Sequence, residues 1–404
     1  MFYGWFLVGV AFVVMMVSSG AIMYSYSVVA VPLGEAFESS RMAMMLGITA
    51  MTLAGGVLSP FLGGMIDRGS LRLMMLLGAV GLALGYVLLS LTTASWQVPI
   101  VYALFMALGM NLLGPLTAST LLARWFTRKR GLVLGIAAVG TSVGGFLLPP
   151  LIQWLIDSFA WRDALRILGI GSLLVTLPAV WLVVNRPEDK GLSPDGDSPP
   201  PDVGTPPPQI STAALLRERN FWLVALVMSL LFGVYTALLS NLVPFALDTG
   251  ADAEGAALLI SVLALAGIAG KLGFGAIADR VDLRVGLGSA ILLIIFGLAA
   301  YLLGDSYTVL LLGSGALGLA AGGMLPVWGA LLAVLFGAPS YGRVMGLMGP
   351  VIMPLTLMGP PLAGMVHDAT GSYSGAFAGF IVVLLVGLSL LPFIRMRTYG
   401  QPVF

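Results

Sequence analysis

Twelve apolar runs, each about 20 residues and so long enough to cross a bilayer as a helix, constrain this chain more than any motif in it. They fall at 4–33, 43–66, 71–93, 98–124, 131–157 and 163–185, and again at 219–247, 255–278, 285–303, 308–336, 344–368 and 375–394. Only 9% of the residues are charged and 59% are hydrophobic. Soluble domains carry about 25% charged residues, so the runs read as membrane spans and not as core helices. The expected fold is an all-α membrane protein of twelve transmembrane helices in two pseudo-symmetric six-helix bundles, embedded in the lipid bilayer. The opening MFYGWFLVGV has no basic segment or small-residue cleavage site, and reads as helix 1 rather than a signal peptide.

Between the two sets lies Arg186 to Gln209, RPEDKGLSPDGDSPPPDVGTPPPQ, whose eight prolines favour a solvated, extended linker. The expected organisation is one bundle over 1–185, a cytoplasmic proline-rich linker over 186–212 and a second bundle over 213–404. Basic residues orient the chain. With the N-terminus inside, fifteen Lys and Arg fall in inside segments, from Arg68 and Arg72 to Arg395 and Arg397. Three, Arg41, Arg162 and Arg166, fall outside. Both termini and the linker are therefore expected in the cytoplasm, with the protein in the cell (inner) membrane.

The halves repeat one another weakly. Gly135 and Gly346, Pro149-Pro150 and Pro360-Pro361, and Asp157 and Asp368 are each 211 residues apart, and Asp67-Arg68 and Asp279-Arg280 are 212 apart. Parallel six-helix repeats suit a transporter with its site near mid-membrane between them.

Lys271 is the candidate centre of that site. It lies in GAALLISVLALAGIAGKLGFGAIADRVDLR, Gly255 to Arg284, roughly 12 Å along the helix from Asp279 and roughly 25 Å from Glu254. A charge that deep costs several kcal/mol unless it faces a polar cavity or a counter-ion. A lysine paired with a backbone carbonyl in a helix crevice is the plainer alternative. Gly267, Gly270, Gly273 and Gly275 on the same helix suit the close approach of a ligand and of a neighbouring helix equally well.

The composition excludes much else. There is no cysteine and one histidine, His367, so thiolate or multi-histidine metal sites and disulfides are out. A net charge of +1 gives no reason to expect nucleic acid. The glycines follow no strand, so no phosphate loop is present, and no cofactor is implied. Polar residues within spans form a second tier of substrate contacts: Tyr26, Asn111, Tyr235, Asn241 and Trp328, with Tyr24, Ser25 and Ser27 beside Tyr26. Each has structural hydrogen bonding as its ordinary role. Asp67, Arg68, Asp279 and Arg280, with Arg72 and Arg284 downstream, read as conformational latches at the inside ends of helices. Plain positive-inside topology accounts for the arginines but not for the repeated acid. His367 and Asp368 read as solvated residues at the outer end of helix 11, Asp157 as structural, and Met42, Met44 and Met45 as packing surface.

GGMIDRGSLR (Gly63 to Arg72) and GFGAIADRVDLR resemble the cytoplasmic signature of the major facilitator superfamily. WFTRKRGLVLGIAAVGTSVGGFLLPPLIQ (Trp125 to Gln153) and LMGPPLAGMVHDATGSY (Leu357 to Tyr373) resemble the monocarboxylate transporters and their bacterial oxalate/formate relatives, and RPEDKGLSPDGD is typical of the bacterial members. The resemblance implies the major facilitator fold and carriage of small monocarboxylates such as lactate or pyruvate, usually with a proton. Animal members have an aspartate four residues before an arginine in helix 8. Those positions are Gly267 and Lys271 here, so the cation is kept and the acid is absent. A helix 1 lysine of the family falls at Tyr26.

The expectation is a monomeric secondary transporter, not an enzyme, that carries a small monocarboxylate with a proton by alternating access. An oxalate/formate-type exchanger or a non-transporting receptor are the alternatives. No carboxylate lies mid-membrane, so Lys271 is also the candidate for proton coupling, with Asp157, Asp368 and His367 next in line.

Overall fold

The computed structural model describes residues 2–39, 41–196, 209–251, 253–304 and 306–396. Arg397, and the side chains of Ser27, Met42, Met44 and Met45, lie outside the described residues. Each expected apolar run is a helix, and among the described residues twelve helices are long and apolar enough to cross a membrane. They are α1 (Gly4–Tyr24), α2 (Leu46–Arg68), α3 (Leu71–Ser90), α4 (Gln97–Trp125), α5 (Arg130–Ser158) and α6 (Trp161–Trp181), then α7 (Arg219–Asp248), α8 (Leu258–Ala278), α9 (Leu283–Leu303), α10 (Tyr307–Phe336), α11 (Ala338–Thr370) and α12 (Ser374–Phe393).

The helices form two compact units. Unit 1 is Met1–Gln209 with Ala338–Gly349; unit 2 is Ile210–Gly337 with Pro350–Phe404. The first stretch of α11 thus joins the N-terminal bundle, and the change of unit falls at Gly349–Pro350. In unit 1, α1 packs on α5, and α3 on α4 and α6. In unit 2, α8 packs on α10, α10 on α9, and α12 on α7 and α9.

Two helices of unit 1 are irregular. In α1 a π-helical turn spans Ser19–Tyr24, and the helix resumes as Tyr26–Ala36. In α4 a π-turn spans Tyr102–Met106, and the helix breaks at Gly114, whose ψ of −158° is extended. Pro115 follows, and the residue before a proline is pushed out of the α region.

Proline breaks the ladder in α11, which contains Pro350, Pro354, Pro360 and Pro361. A proline has no N–H for the carbonyl four residues back, and lipid supplies no substitute donor. Hydroxyls do. Ser59 of α2 donates to Gly346 O at 2.8 Å, the carbonyl released by Pro350. The Thr236 hydroxyl of α7 lies 3.0 Å from Thr356 O, the carbonyl released by Pro360, and 2.8 Å from Phe232 O of its own helix, so it is shared between the two.

The front of the linker is tied to unit 1. The Asp195 carboxylate accepts the backbone N–H groups of Thr127 and Arg128, each at 2.9 Å, ahead of α5. Burial alone would raise the Asp195 carboxyl. Hydrogen bonds from the Thr127 hydroxyl and the Thr127–Lys129 backbone outweigh it and hold the group below its ordinary value. This contribution is present at neutral pH and fades as pH falls through the depressed value.

The repeat is visible in side-chain chemistry too. Arg72 Nε donates to Val183 O at 2.7 Å, beyond the end of α6. Arg284 Nη1 donates to Ile394 O at 3.3 Å, beyond the end of α12. Each arginine fastens the third helix of its bundle to the last.

If hydroxyl donation compensates proline in α11, Thr236→Val, which keeps shape and branching, should destabilise the protein by about 1 kcal/mol. Ser289→Ala, which removes an exposed hydroxyl bonded to its own helix, should not. Equal melting temperatures for the two variants in one detergent would overturn this account.

Candidate functional site

In unit 2, Lys271 is half-buried on α8, at the closest approach of α8 to α10. A Cβ on Gly318 or Gly322 of α10 would overlap the carbonyls of Leu263 or Gly267, and one on Gly270 would overlap that of Leu319. The same Cβ on Gly322 would lie 2.7 Å from the Lys271 backbone nitrogen. Gly270 therefore serves helix packing, while Gly273 faces open space. Packing fixes the Lys271 backbone against α10, so its long side chain starts from a rigid base.

Trp328, lower on α10, is 6% exposed and meets Phe232 of α7 edge-on, with centroids 6.0 Å apart at 71°. Its indole Nε1 is buried with no hydrogen-bond partner among the described residues. Buried donors are seldom left so. Tyr235 is half-buried one turn along α7 from Phe232. Asn241 spends its amide nitrogen on structure: Nδ2 donates to Ala237 O at 2.8 Å and Pro360 O at 3.3 Å.

In unit 1, Tyr26 is 6% exposed. Its ring stands edge-on to Tyr102, with centroids 5.0 Å apart at 72°, and its hydroxyl lies where a side chain on Gly47 of α2 would be. Tyr26 follows the π-turn of α1 and Tyr102 opens that of α4, so the two irregular helices meet through this pair. Ser25 is buried and bonded to its own helix, with Oγ donating to Gly20 O at 2.7 Å. Asn111 Nδ2 donates to Ala107 O at 2.9 Å, facing Gly55 of α2.

The two acid–base repeats differ in what surrounds them. Asp67 is 1% exposed at the end of α2. Its carboxylate accepts Gly342 N at 2.9 Å and Arg343 N at 2.7 Å, donors at a helix start that have no partner within the helix. A carboxylate there gains charge-assisted bonds and a favourable helix dipole. Arg124 Nη2 donates to Ile66 O at 2.9 Å and Asp67 O at 3.1 Å, closing the end of α2. Arg68 and Arg280 are exposed, and Asp279 is half-buried. Arg284 pairs with Asp282 at 2.6 Å.

His367 is not simply solvated. It pairs with Asp248 at 3.0 Å and stacks on Tyr373 with centroids 4.5 Å apart, while Asp368 stands 3.7 Å away. Asp157 is exposed and accepts from Gln153.

The Major Facilitator Superfamily model matches residues 8–304 and 242–403. The chain belongs to the Major Facilitator Superfamily. It is 31% identical to mouse monocarboxylate transporter 11 over 393 residues, covering 93% of this chain and 83% of that one. It is 29% identical to human monocarboxylate transporter 2 over 419 residues, covering 95% and 85%. Among solved structures it is similar to the human organic anion transporter MFSD10, with a TM-score of 0.75 at 16% identity, covering 97% and 100%. It is likewise similar to the major facilitator transporter FucP in its outward conformation, with a TM-score of 0.72 at 16% identity and the same coverage. The relatives are membrane transporters and not enzymes.

For a major facilitator protein, the positions that sequence reasoning missed are structural polar groups at helix ends. Arg124, Arg130 and Arg343 are 9%, 8% and 5% exposed, although charge counting treats them as surface residues. Arg130 donates to Phe126 O and Ala123 O, and Arg343 donates to Gln209. Nothing in their local sequence marks them, because the partners of Arg124 and Arg343 are distant along the chain and those of Arg130 are backbone carbonyls, which carry no sequence signal. The signal that did exist is the acid of the Asp-Arg repeat, since topology needs only the bases.

Replacing Asp67 by Asn leaves one oxygen where two accepted, so one buried amide at the head of α11 loses its partner, at about 1–3 kcal/mol. Asp67→Asn should speed hydrogen exchange at Gly342 and Arg343 and change turnover more than substrate affinity. Lost affinity with unchanged exchange at those amides would remove Asp67 from the latch.

Proposed function

We propose that this protein is a secondary transporter of small monocarboxylates of the lactate and pyruvate kind, working by alternating access as a proton-coupled symporter. In this reading it acts as a monomer in the cell (inner) membrane, with both termini in the cytoplasm. The observation that carries the reading is Lys271, a cation deep within an otherwise uncharged helix, on a backbone held rigid by the glycines of α10. Relatives that are named monocarboxylate transporters support the substrate class.

The chemistry assigned to each residue is simple. The Lys271 ammonium takes the substrate carboxylate as a charge-assisted partner. The buried indole N–H of Trp328 donates to a carboxylate, keto or hydroxyl oxygen. Tyr26 and Tyr235 offer phenol hydroxyls, and Asn111 and Asn241 offer the amide oxygens left when their nitrogens are engaged within the fold. Asp67 and Asp279, with Arg68 and Arg280, serve as latches without touching substrate.

Proton coupling falls to Lys271 as well, because the chain's acids stand at helix ends, in loops or in the linker. A low-dielectric site disfavours the charged form of an amine, and an arriving anion favours it. Proton and carboxylate would therefore bind together and leave together. A second reading, exchange of one anion for another, draws on Gly267 standing where the animal monocarboxylate transporters have an acid.

The test is uptake of labelled lactate, pyruvate, formate and oxalate into proteoliposomes, with and without an imposed pH gradient. Lys271→Gln should abolish uptake while insertion and melting temperature hold. Lys271→Arg should keep binding but lose uphill accumulation, since guanidinium hardly deprotonates. Near-normal uptake by Lys271→Gln would remove Lys271 from the site. Full accumulation by Lys271→Arg would leave it an anion anchor only. Uptake driven by counter-anion and indifferent to pH would favour exchange.

A further inference from the structure

The interior of unit 1 contains a tyrosine that the proposed transport chemistry does not use. Tyr86 of α3 is 0% exposed, and its hydroxyl donates to the carbonyl of Ala21 inside the π-turn of α1. The Ser25 amide reaches back to Gly20 O at 3.1 Å, one residue further than an α-helix uses. Ala21 O thereby loses the amide that a regular helix would bring to it. In an apolar interior a carbonyl so released needs another donor, and Tyr86 is that donor. Gly169 of α6 makes the space, since a Cβ there would lie 3.2 Å from the Tyr86 Cβ.

The neighbouring glycine completes the pattern. A Cβ on Gly85 would lie 3.0 Å from Met106, the last residue of the π-turn in α4. One dipeptide of α3, Gly85-Tyr86, therefore abuts both irregular turns of the unit. Those turns in turn meet through Tyr26 and Tyr102. Well under 1% of residues in proteins are π-helical, and two such turns joined both directly and through one dipeptide form a single construction.

Its consequence is directional. A π-turn absorbs one extra residue, and one residue is about 100° of helix rotation. With the turn present, Tyr26 points at Tyr102 and Gly47, Tyr24 is 51% exposed and Ser25 is 0% exposed. Without it, Ser25 would take the direction of Tyr26, and Tyr24 would take the buried direction of Ser25.

We propose that Tyr86 is a positioning residue that holds the π-turn of α1 and so aims Tyr24 and Tyr26. Its effect on substrate rests on the assignment of Tyr26 as a substrate contact, but its effect on the turn does not. The chain has no cysteine, so a single cysteine placed at position 24 reports alone. In the detergent-solubilised, otherwise wild-type protein Tyr24→Cys should react with a small uncharged maleimide faster than Ser25→Cys does, and adding Tyr86→Phe should slow the Tyr24→Cys reaction about tenfold. Ser25→Ala, which loosens the same turn at Gly20 O, should slow it in the same sense and guards against a folding defect peculiar to Tyr86→Phe. Unchanged labelling in both folded variants would overturn the proposal. In lactate uptake, Tyr86→Phe should raise KM about fivefold with kcat within twofold, and the effect should be absent in a Tyr26→Phe background. Slowed labelling with wild-type KM would mean that the turn is held but does not serve the substrate, which overturns the positioning role. A wild-type protein that carries no monocarboxylate would refute the proposed function, and the labelling result alone would then decide whether Tyr86 holds the turn.

Discussion

Every peptide group of this protein that stands in lipid must find its hydrogen-bond partner within the protein, and the rest of the structure depends on how that demand is met where helices are irregular. Regular helices meet it by themselves. The irregular ones borrow donors from neighbours: Ser59 for the carbonyl released by Pro350, Thr236 for that released by Pro360, and Tyr86 for that exposed in the α1 π-turn. In each case a hydroxyl on one helix serves a carbonyl released on another. The π-turns of α1 and α4 and the prolines of α11 stand beside Tyr26, Asn111 and the Asp67-capped helix start.

Glycine does the complementary work. Close backbone approach in an apolar medium yields packing that bulky side chains would forbid, and here it fixes chosen pairs. Gly140 and Gly144 of α5 lie against the carbonyls of Phe12 and Met16 in α1, and Gly359 of α11 lies against Gly233 of α7. The tightest set joins α8 to α10 beside Lys271. Lys271 is thus carried on backbone packed closely against α10.

Much of this fold was legible in the sequence because the bilayer acts on composition one span at a time. The twelve apolar runs required no knowledge of tertiary contacts, whereas the inclusion of Ala338–Gly349 in unit 1 could not be read from hydropathy. The glycines around Lys271 were legible as small residues but ambiguous in purpose, and the α10 backbone resolves that ambiguity towards packing for Gly270 but not for Gly267 or Gly273. What stayed hidden depends on distant partners. Asp67 was marked by its repetition, but its true ligands, the amides of Gly342 and Arg343, lie 275 and 276 residues away. The π-turns leave no hydropathy trace, since SGAIMY and YALFM are apolar segments like their neighbours. Tyr86 and Tyr102, whose burial beside these turns the fold reveals, carried no mark in the sequence.

Gly267 brings these constraints together. A Cβ at this position would meet nothing nearer than Gly318 O at 3.5 Å, an ordinary contact. The glycine is therefore not required there to admit a side-chain-free approach along its own Cα–Cβ direction. Its carbonyl, by contrast, is what Gly322 packs against. Space does not forbid the first atom of an acid one turn before Lys271; the sequence simply lacks one. An aspartate at that spacing would face Lys271 as an intrahelical counter-ion and compete with any anion for the ammonium. With glycine at 267, no such intrahelical counter-ion is built into α8 one turn before Lys271.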